Sequence, residues 1–323
     1  MKEIRQPMIR RRAFVALATG LGLGLALNAC SGGPDITPGT GPAPSGSSAA
    51  SGPARPLVIG STDRPEGQVL AEVYAGALNA AGVAAGTKPN VGSRDVYFKA
   101  VQDGSIDVIA DYSGNLLLHV DKEATQASAD DVAKVLPGKL PEALGVLEAS
   151  KAEDKDALVV TKATAEKYQL KSITDLGKVC SQLVLGASAA FAGQASGLPG
   201  LKTNYDCVPK QLEQFSDGGG PLTVMALLRD QVQVADIYTT NPAIPDNDLV
   251  VLEDPKNNFI AQQVLPLYNK ATMTDKAKDV LNSVSKTLTT EDLTDLNRAV
   301  SGNQKQSPKD AASDWLKDKG FVK

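Results

Sequence analysis

Short apolar runs alternate with stretches of helical periodicity, and that alternation confines the body of this chain to layered α/β architectures. Pro56-Leu57-Val58-Ile59-Gly60 is a continuous apolar run bounded by Pro and Gly, the pattern of a strand covered on both faces. A polar loop, Ser61-Thr62-Asp63-Arg64-Pro65, follows it. From Glu66 to Ala81, the residues Val69, Leu70, Val73, Ala77 and Leu78 fall on one helical face, and Gly82 supplies the stop. A second helix is predicted over Asp95 to Gln102, with Val96 and Ala100 inward, and Ile106 to Ala110 reads as the next strand. Strands separated by helices in this way join a parallel sheet through right-handed crossovers.

The same grammar recurs further on. Ala157 to Val160, Leu183 to Gly186, Val232 to Ile237 and Leu249 to Leu252 read as strands. Ser128-Ala129-Asp130-Asp131 has the form of a capped helix start. Gly218-Gly219-Gly220-Pro221 reads as a turn into a helix that ends near Arg229, with Pro221 in the first turn. Thr289-Thr290-Glu291-Asp292 and Ser307-Pro308-Lys309-Asp310 cap two C-terminal helices, the last carrying Trp315 and Leu316, which are expected to clad the first lobe. About 268 residues run from Pro56 to Lys323. That is more than one hydrophobic core usually serves, so two lobes are expected.

Ahead of this body, Arg11-Arg12-Ala13-Phe14-Val15 follows further basic residues and opens an apolar run from Ala13 to Leu27. Basic residues, a short apolar stretch and then small residues describe an export signal over residues 1–29. The run is shorter than the roughly 20 residues of a permanent membrane span. A twin-arginine signal and a general secretory signal both fit it, and an ordinary first helix with a buried cysteine is the competing reading. Leu27-Asn28-Ala29-Cys30 resembles the bacterial lipobox, which implies cleavage before Cys30 and a diacylglycerol on its sulfur. Residues 31–55 contain only Gly, Pro, Ser, Thr and Ala apart from Asp35, Ile36 and Arg55. So little apolar surface cannot offset the entropy of ordering, so a disordered tether over residues 30–55 is expected. The whole describes a domain moored to the outer face of a cell membrane.

Charge and cysteine use fit that compartment. The full chain carries 33 basic and 37 acidic residues, of which five basic ones (Lys2, Arg5, Arg10, Arg11, Arg12) and Glu3 lie in the predicted signal. The processed chain would have 28 against 36, a net charge of −8, which argues against nucleic acid as a partner. With Cys30 lipidated, Cys180 and Cys207 remain, and an oxidising exterior makes a disulfide their expected state. Two free buried thiols, or a thiol nucleophile lacking a nearby base, are the alternatives.

Two segments carry the residues suited to binding. Asp111-Tyr112-Ser113-Gly114-Asn115 and Tyr238-Thr239-Thr240-Asn241 each follow a predicted strand, and ligands in open α/β sheets sit beyond the carboxyl ends of strands. Each pairs an aromatic face with hydroxyl and amide groups, and each could equally consist of turn residues whose tyrosines pad the core. Enzyme chemistry lacks its parts. His119 is the only histidine and lies in an apolar stretch, which suits a packed or surface residue better than a general base. A transition metal lacks donors. The Gly218–Gly220 run lacks the Lys-Ser/Thr of a phosphate-binding loop. No catalytic residue, cofactor or metal is expected.

Ile59-Gly60-Ser61, Leu70-Ala71-Glu72-Val73-Tyr74, Val91-Gly92-Ser93-Arg94-Asp95-Val96-Tyr97-Phe98, Asp111-Tyr112-Ser113-Gly114, Gly219-Gly220-Pro221-Leu222-Thr223 and Leu249-Val250-Val251-Leu252-Glu253-Asp254 occur in this order. Together they resemble the substrate-binding proteins of osmoprotectant ABC importers, the glycine betaine/carnitine/choline (ProX-like) family. The resemblance covers nearly everything after residue 56. It implies a two-lobed type II periplasmic-binding-protein fold with two hinge crossings, at Asp111–Ser113 and Tyr238–Asn241. Lobe one would then comprise residues 56–111 plus 242–323, and lobe two residues 112–241. In the family, tyrosine rings cage a quaternary ammonium group. That implies roles for Tyr112 and Tyr238, with Tyr205 as a third wall and Tyr97 as a candidate whose helical position equally suits the core. Ser61, Thr62, Ser93, Asp111, Thr239 and Asn241 would supply polar contacts, and Arg94 would grip a carboxylate or else be an exposed helix residue.

The chain departs from the family in its first loop, where Ser61-Thr62-Asp63-Arg64-Pro65-Glu66 stands for a pattern like Ser-Lys-x-Phe-Thr-Glu. Ala187 to Gly200 is rich in Ala and Gly where a cage would want aromatics. A larger, neutral or polyhydroxylated ligand therefore stays open beside a quaternary amine. The resulting expectation is a monomeric, lipid-anchored, extracytoplasmic solute-binding protein that delivers a small molecule to an ABC permease. The alternative is a ligand-sensing surface lipoprotein with no role in transport.

Overall fold

The computed structural model describes residues 55–301 and 305–322, so the predicted signal, Cys30 and the tether up to residue 54 lie outside the described residues. The strands are β1 (Leu57–Gly60), β2 (Ala85–Lys88), β3 (Val108–Tyr112), β4 (Leu144–Val146), β5 (Asp156–Val160), β6 (Val184–Ala187), β7 (Gln211–Gln214), β8 (Val234–Tyr238), β9 (Val250–Val251) and β10 (Val264–Asn269). In the first half the helices are α1 (Pro65–Ala80), α2 (Arg94–Gln102), α3 (Ser113–Val120), α4 (Ala129–Lys139), α5 (Lys162–Tyr168) and α6 (Ile173–Gly177). They continue as α7 (Leu198–Tyr205), α8 (Pro221–Leu228), α9 (Ala243–Asp246), α10 (Asp275–Thr287), α11 (Thr290–Ser301) and α12 (Pro308–Asp318).

Two mixed sheets organise these elements. The first has the order β2-β1-β3-β10-β4 and the second β7-β6-β8-β5-β9. In each, four strands run parallel and one, next to the edge, runs against them: β10 opposes β3 and β4, and β5 opposes β8 and β9. The reversed strands are the two that bring the chain in from the other lobe. A strand entering from the cleft, where the parallel strands have their carboxyl ends, must run back along the sheet. Register is set by pairs such as Val264 with Tyr112 and Asp156 with Tyr238.

Helix α1 buries the predicted face, Val69, Leu70, Val73, Ala77 and Leu78, against the first sheet and the C-terminal helices. Each of the larger side chains contributes roughly 1.5–3 kcal/mol by leaving water. The α12 residue Leu316 packs so closely on α1 that a Cβ at Gly76 would lie 2.4 Å from it. The C-terminal helices thus clad lobe one, with Trp315 in the same core. On α2 the expected inner face shifts: Tyr97, Phe98 and Val101 are buried, whereas Val96 is 52 % exposed. In lobe two a disulfide joins Cys180 to Cys207 beside β6, both sulfurs within the core.

The crossings differ from the expected positions. Asp111-Tyr112-Ser113 runs from β3 directly into α3, and Leu116, Leu117, Val132, Leu136 and Leu144 pack with Tyr97, Ile106 and Leu267 in a lobe-one core. Residues 113–146 therefore belong to lobe one, not lobe two. Tyr238–Asn241 likewise stays in lobe two, because β9 still pairs with β5. The chain changes lobes between β4 and β5, and again between β9 and β10. These two segments run side by side, with a bridge between Glu153 and Gln263 and backbone bonds from Asp154 N to Gln262 O (3.2 Å) and from Val264 N to Ala152 O (3.0 Å). An apolar stretch such as Leu116 to Val120 suits either lobe equally, so burial decides the matter and hydropathy does not. Among the described residues no helix is long and apolar enough to cross a membrane.

Candidate ligand-binding cleft

The carboxyl ends of β1, β3 and β8 meet where the lobes face each other. From β1 the chain turns through Ser61, which is buried: its Oγ donates to Thr62 O at 3.0 Å and its N–H to Lys88 O at 3.1 Å. Ser61 therefore shapes the loop, and Thr62 is half-buried beside it. Pro65 opens α1, which places Glu66 in the first turn, 4 % exposed. An acid there is favoured by the helix dipole. The Glu66 carboxylate accepts hydrogen bonds from the Tyr112 hydroxyl at the end of β3 and from Asn297 Nδ2 of α11.

Asp154, on the first crossing segment, is the second buried acid of this cluster. Its Oδ1 accepts from the Thr240 hydroxyl at 2.7 Å, and its Oδ2 lies 3.6 Å from Arg64 Nη2. Burial first, then the negative charge of Glu66, push Asp154 up to about 7, with Thr240 and Arg64 acting against the rise. Burial, followed by Glu66 and Asp154, also holds Tyr112 well above its ordinary value. Tyr238 is raised to about 12 by burial and then by Asp156, Asp154 and Asp236. Both tyrosines are thus neutral rings set among carboxylates, an environment of negative potential that suits a cation.

A cavity of about 590 Å³ opens here, lined by Arg64, Glu66 and Asn297 from lobe one and by Tyr238, Thr240 and Asn241 from lobe two. Contacts cross its mouth. The Arg64 guanidinium carbon lies 5.7 Å from the Tyr238 ring centroid, Asn297 Nδ2 donates to Thr240 O at 3.4 Å, and Arg298 Nη2 meets Asp246 Oδ1 at 2.8 Å.

Of the residues singled out in the sequence, Tyr238 and Asn241 line this cavity, and Tyr112 reaches it through Glu66. Asn241 is also a structural clamp, donating to Gly219 O and accepting from Ala243 N, each at 2.9 Å. Gly219 has φ +81°, and a Cβ there would come within 2.9 Å of the Asp236 carbonyl, so the turn needs glycine. Thr239 stitches β8 to the first crossing: its Oγ1 donates to Glu153 O at 2.8 Å and accepts from Lys155 N at 3.2 Å.

The remaining candidates lie elsewhere. Arg94 is paired with buried Asp111 at 2.7 Å, and Asp111 also accepts from Tyr112 N at 2.8 Å. Ser93 is exposed as the N-cap of α2, and Tyr97 is 3 % exposed in the lobe-one core. Tyr205 is buried in lobe two, its hydroxyl bonded to Asp254. His119 sits on α3 with its ring edge-on to Phe98, away from the cleft lining. Among the described residues no group of three or more His, Cys, Asp or Glu is arranged to hold a metal ion.

Sequence reasoning missed Glu66, Asp154, Thr240, Asn297 and Arg298 as cleft residues. Glu66 looks like a helix-start acid. Asp154 hides in the charged run Lys151-Ala152-Glu153-Asp154-Lys155-Asp156, which reads as a solvated loop. The usable signal is position, since Arg64-Pro65-Glu66 stands between the end of a strand and the first turn of a helix.

Residues 55–318 match the family model described as the substrate binding domain of the ABC-type glycine betaine transport system. The glycine betaine-binding protein YehZ of Escherichia coli (strain K12) is 26 % identical over 290 residues, covering 84 % of this chain and 92 % of that protein. The carnitine transport binding protein OpuCC of Listeria monocytogenes is 25 % identical over 244 residues, covering 72 % and 76 %. A solved structure described as a glycine betaine/carnitine/choline ABC transporter superposes with a TM-score of 0.76 at 22 % identity, covering 82 % of this chain and 99 % of that one, a likeness of fold.

Proposed function

The chain belongs to the family of substrate-binding domains of ABC-type glycine betaine transport systems, and from that premise we propose that its cleft captures a quaternary-amine osmolyte for delivery to a membrane permease. The observation that carries this reading is the cavity lined by the buried carboxylate of Glu66 and the ring of Tyr238, with Asp154 and Tyr112 directly behind it through their bonds to Thr240 and Glu66. A quaternary ammonium has no N–H to donate, so it is recognised by diffuse negative potential and by π faces rather than by directed hydrogen bonds. The names of the relatives, glycine betaine-binding and carnitine transport binding proteins, support the same ligand class.

Capture proceeds by population shift. A ligand touching Tyr238 from lobe two and the Glu66 side from lobe one stabilises the form in which the lobes are together, and the paired crossing segments carry the motion. Ser61 and Thr62 shape the first loop and Asp111 holds the backbone of Tyr112, while Thr239 and Asn241 hold the Tyr238 turn in place. Binding without turnover is what this equipment suits. The protein works outside the cytoplasm as a monomer, held at the membrane by lipid on Cys30 once residues 1–29 are removed.

Titration calorimetry with glycine betaine, choline and carnitine tests the reading. At least one should bind, and Tyr238→Ala should weaken it roughly 5–30-fold, the worth of one cation–π contact of about 1–2 kcal/mol. Failure of all three to bind the wild type, or an unchanged affinity in Tyr238→Ala, overturns it.

A further inference from the structure

The cleft proposed to take a cation already holds one. Arg64 leaves the first loop at the amino end of α1, where the helix dipole disfavours positive charge. It nevertheless points at the site: its guanidinium carbon lies 5.7 Å from the centre of the Tyr238 ring and its Nη2 lies 3.6 Å from Asp154 Oδ2. It lines the same cavity as Glu66 and Tyr238. The groups around it are the ones that would hold a quaternary ammonium. Burial acts to lower the Arg64 pKa, and Tyr112, Asp154, Glu66 and Tyr238 together outweigh it, so the guanidinium stays charged in this nest.

We propose that Arg64 is an internal competitor for the cation subsite: in the ligand-free protein its guanidinium occupies the place between Asp154 and Tyr238, and a cationic ligand binds by displacing it. This rests on the quaternary-amine reading of the cleft. Two features make Arg64 displaceable rather than structural. Its side chain is 56 % exposed on a long flexible stem. Its 3.6 Å approach to Asp154 exceeds hydrogen-bond length, so no directed bond holds it. Self-occupation scales the apparent affinity down to the intrinsic affinity multiplied by the fraction of molecules in which the subsite is free. The consequence is a receptor tuned to abundant ligand, whose threshold is set by one side chain in the loop where the sequence departs from its family.

The test compares the wild type with Arg64→Ala, Arg64→Gln and Arg64→Lys by calorimetry at pH 8, using tetramethylammonium, choline and glycine betaine as probes. Tetramethylammonium is a bare cation and isolates the subsite. Arg64→Ala and Arg64→Gln should each bind tetramethylammonium and choline about tenfold more tightly than wild type, in line with loss of a partly exposed ion pair and one cation–π contact. Arg64→Lys should stay near wild type. Unchanged or weaker tetramethylammonium binding in both neutral variants overturns the proposal. So does a selective loss of glycine betaine, which would make Arg64 a clamp for the ligand's carboxylate. If the wild type binds and the variants bind no tighter, only the competitor role falls. If no variant and no wild type binds any of the three probes, the quaternary-amine reading falls with it.

Discussion

Asp236 lies in β8 with Oδ1 buried and without a hydrogen-bond partner among the described residues, and Asp156 on the neighbouring strand adds like charge. Burial first, and then Asp156, push Asp236 up to about 8, and burial raises Asp156 as well. The folded value lies above the unfolded value of about 3.9, so between the two the folded chain binds more protons than the unfolded chain. The associated stability is present in full below about pH 4 and is lost as pH rises toward 8. Asp154, raised to about 7, acts in the same direction. Asp236→Asn removes the titrating charge without changing shape. Thermal unfolding at pH 8 should rise by a few degrees, on the order of 1–2 kcal/mol, with a clearly smaller gain at pH 5 and none below about pH 4. Equal shifts at both pH values would mean that packing rather than charge sets the effect. Little of this was legible beforehand. Val234-Ala235-Asp236-Ile237-Tyr238 has the same alternation whether its aspartate meets water or core, and nothing in Arg64 itself says that its guanidinium turns inward.

At the scale of elements, side-chain chemistry at helix starts reads well. Ser128, Thr289 and Ser307 each accept a hydrogen bond from the N–H three residues on, as their sequences suggest. The helix opened by Pro221 ends before Arg229, also as expected. Strand β2 left no such mark: Ala85-Gly86-Thr87-Lys88 is a partly exposed edge, defined by backbone pairing with β1 and not by apolar content. On α2, Val96 and Tyr97 are adjacent, and the larger ring takes the buried side, which apolar periodicity alone does not reveal. The Cys180–Cys207 bond spans a sequence separation of 27 and ties the start of β6 to the end of α7. Closing a loop of that length restricts the unfolded chain, contributing on the order of 3 kcal/mol. Replacing both cysteines by serine should therefore lower the midpoint of chemical denaturation and, by letting the unfolded chain expand, steepen the denaturant slope. An unaltered midpoint would show that the bond adds nothing beyond the core packing around it.

For the whole molecule, the two-lobed class followed from strand–helix alternation and length, while the place where the chain changes lobes did not. Crossing segments are short, polar and extended, and so are ordinary loops; only the partner strand distinguishes them. The proposed anchor makes a prediction at this scale too. Cys30→Ala should move the protein from the membrane fraction to the soluble extracytoplasmic fraction while leaving ligand affinity unchanged, and retention at the membrane would argue for a different tether. The strand order carries one more consequence, concerning the time at which each lobe can form. All five strands of the second sheet come from one stretch, residues 156–251, whereas β4 pairs with β10 alone among the described strands. A chain emerging amino end first can finish lobe two as soon as that stretch is available. Lobe one must wait for Val264–Asn269, a pairing that spans more than a hundred residues and closes slowly. The half that emerges first is thus the half that locks last, and its third strand stays without its neighbour on one side until the last strand of the chain arrives.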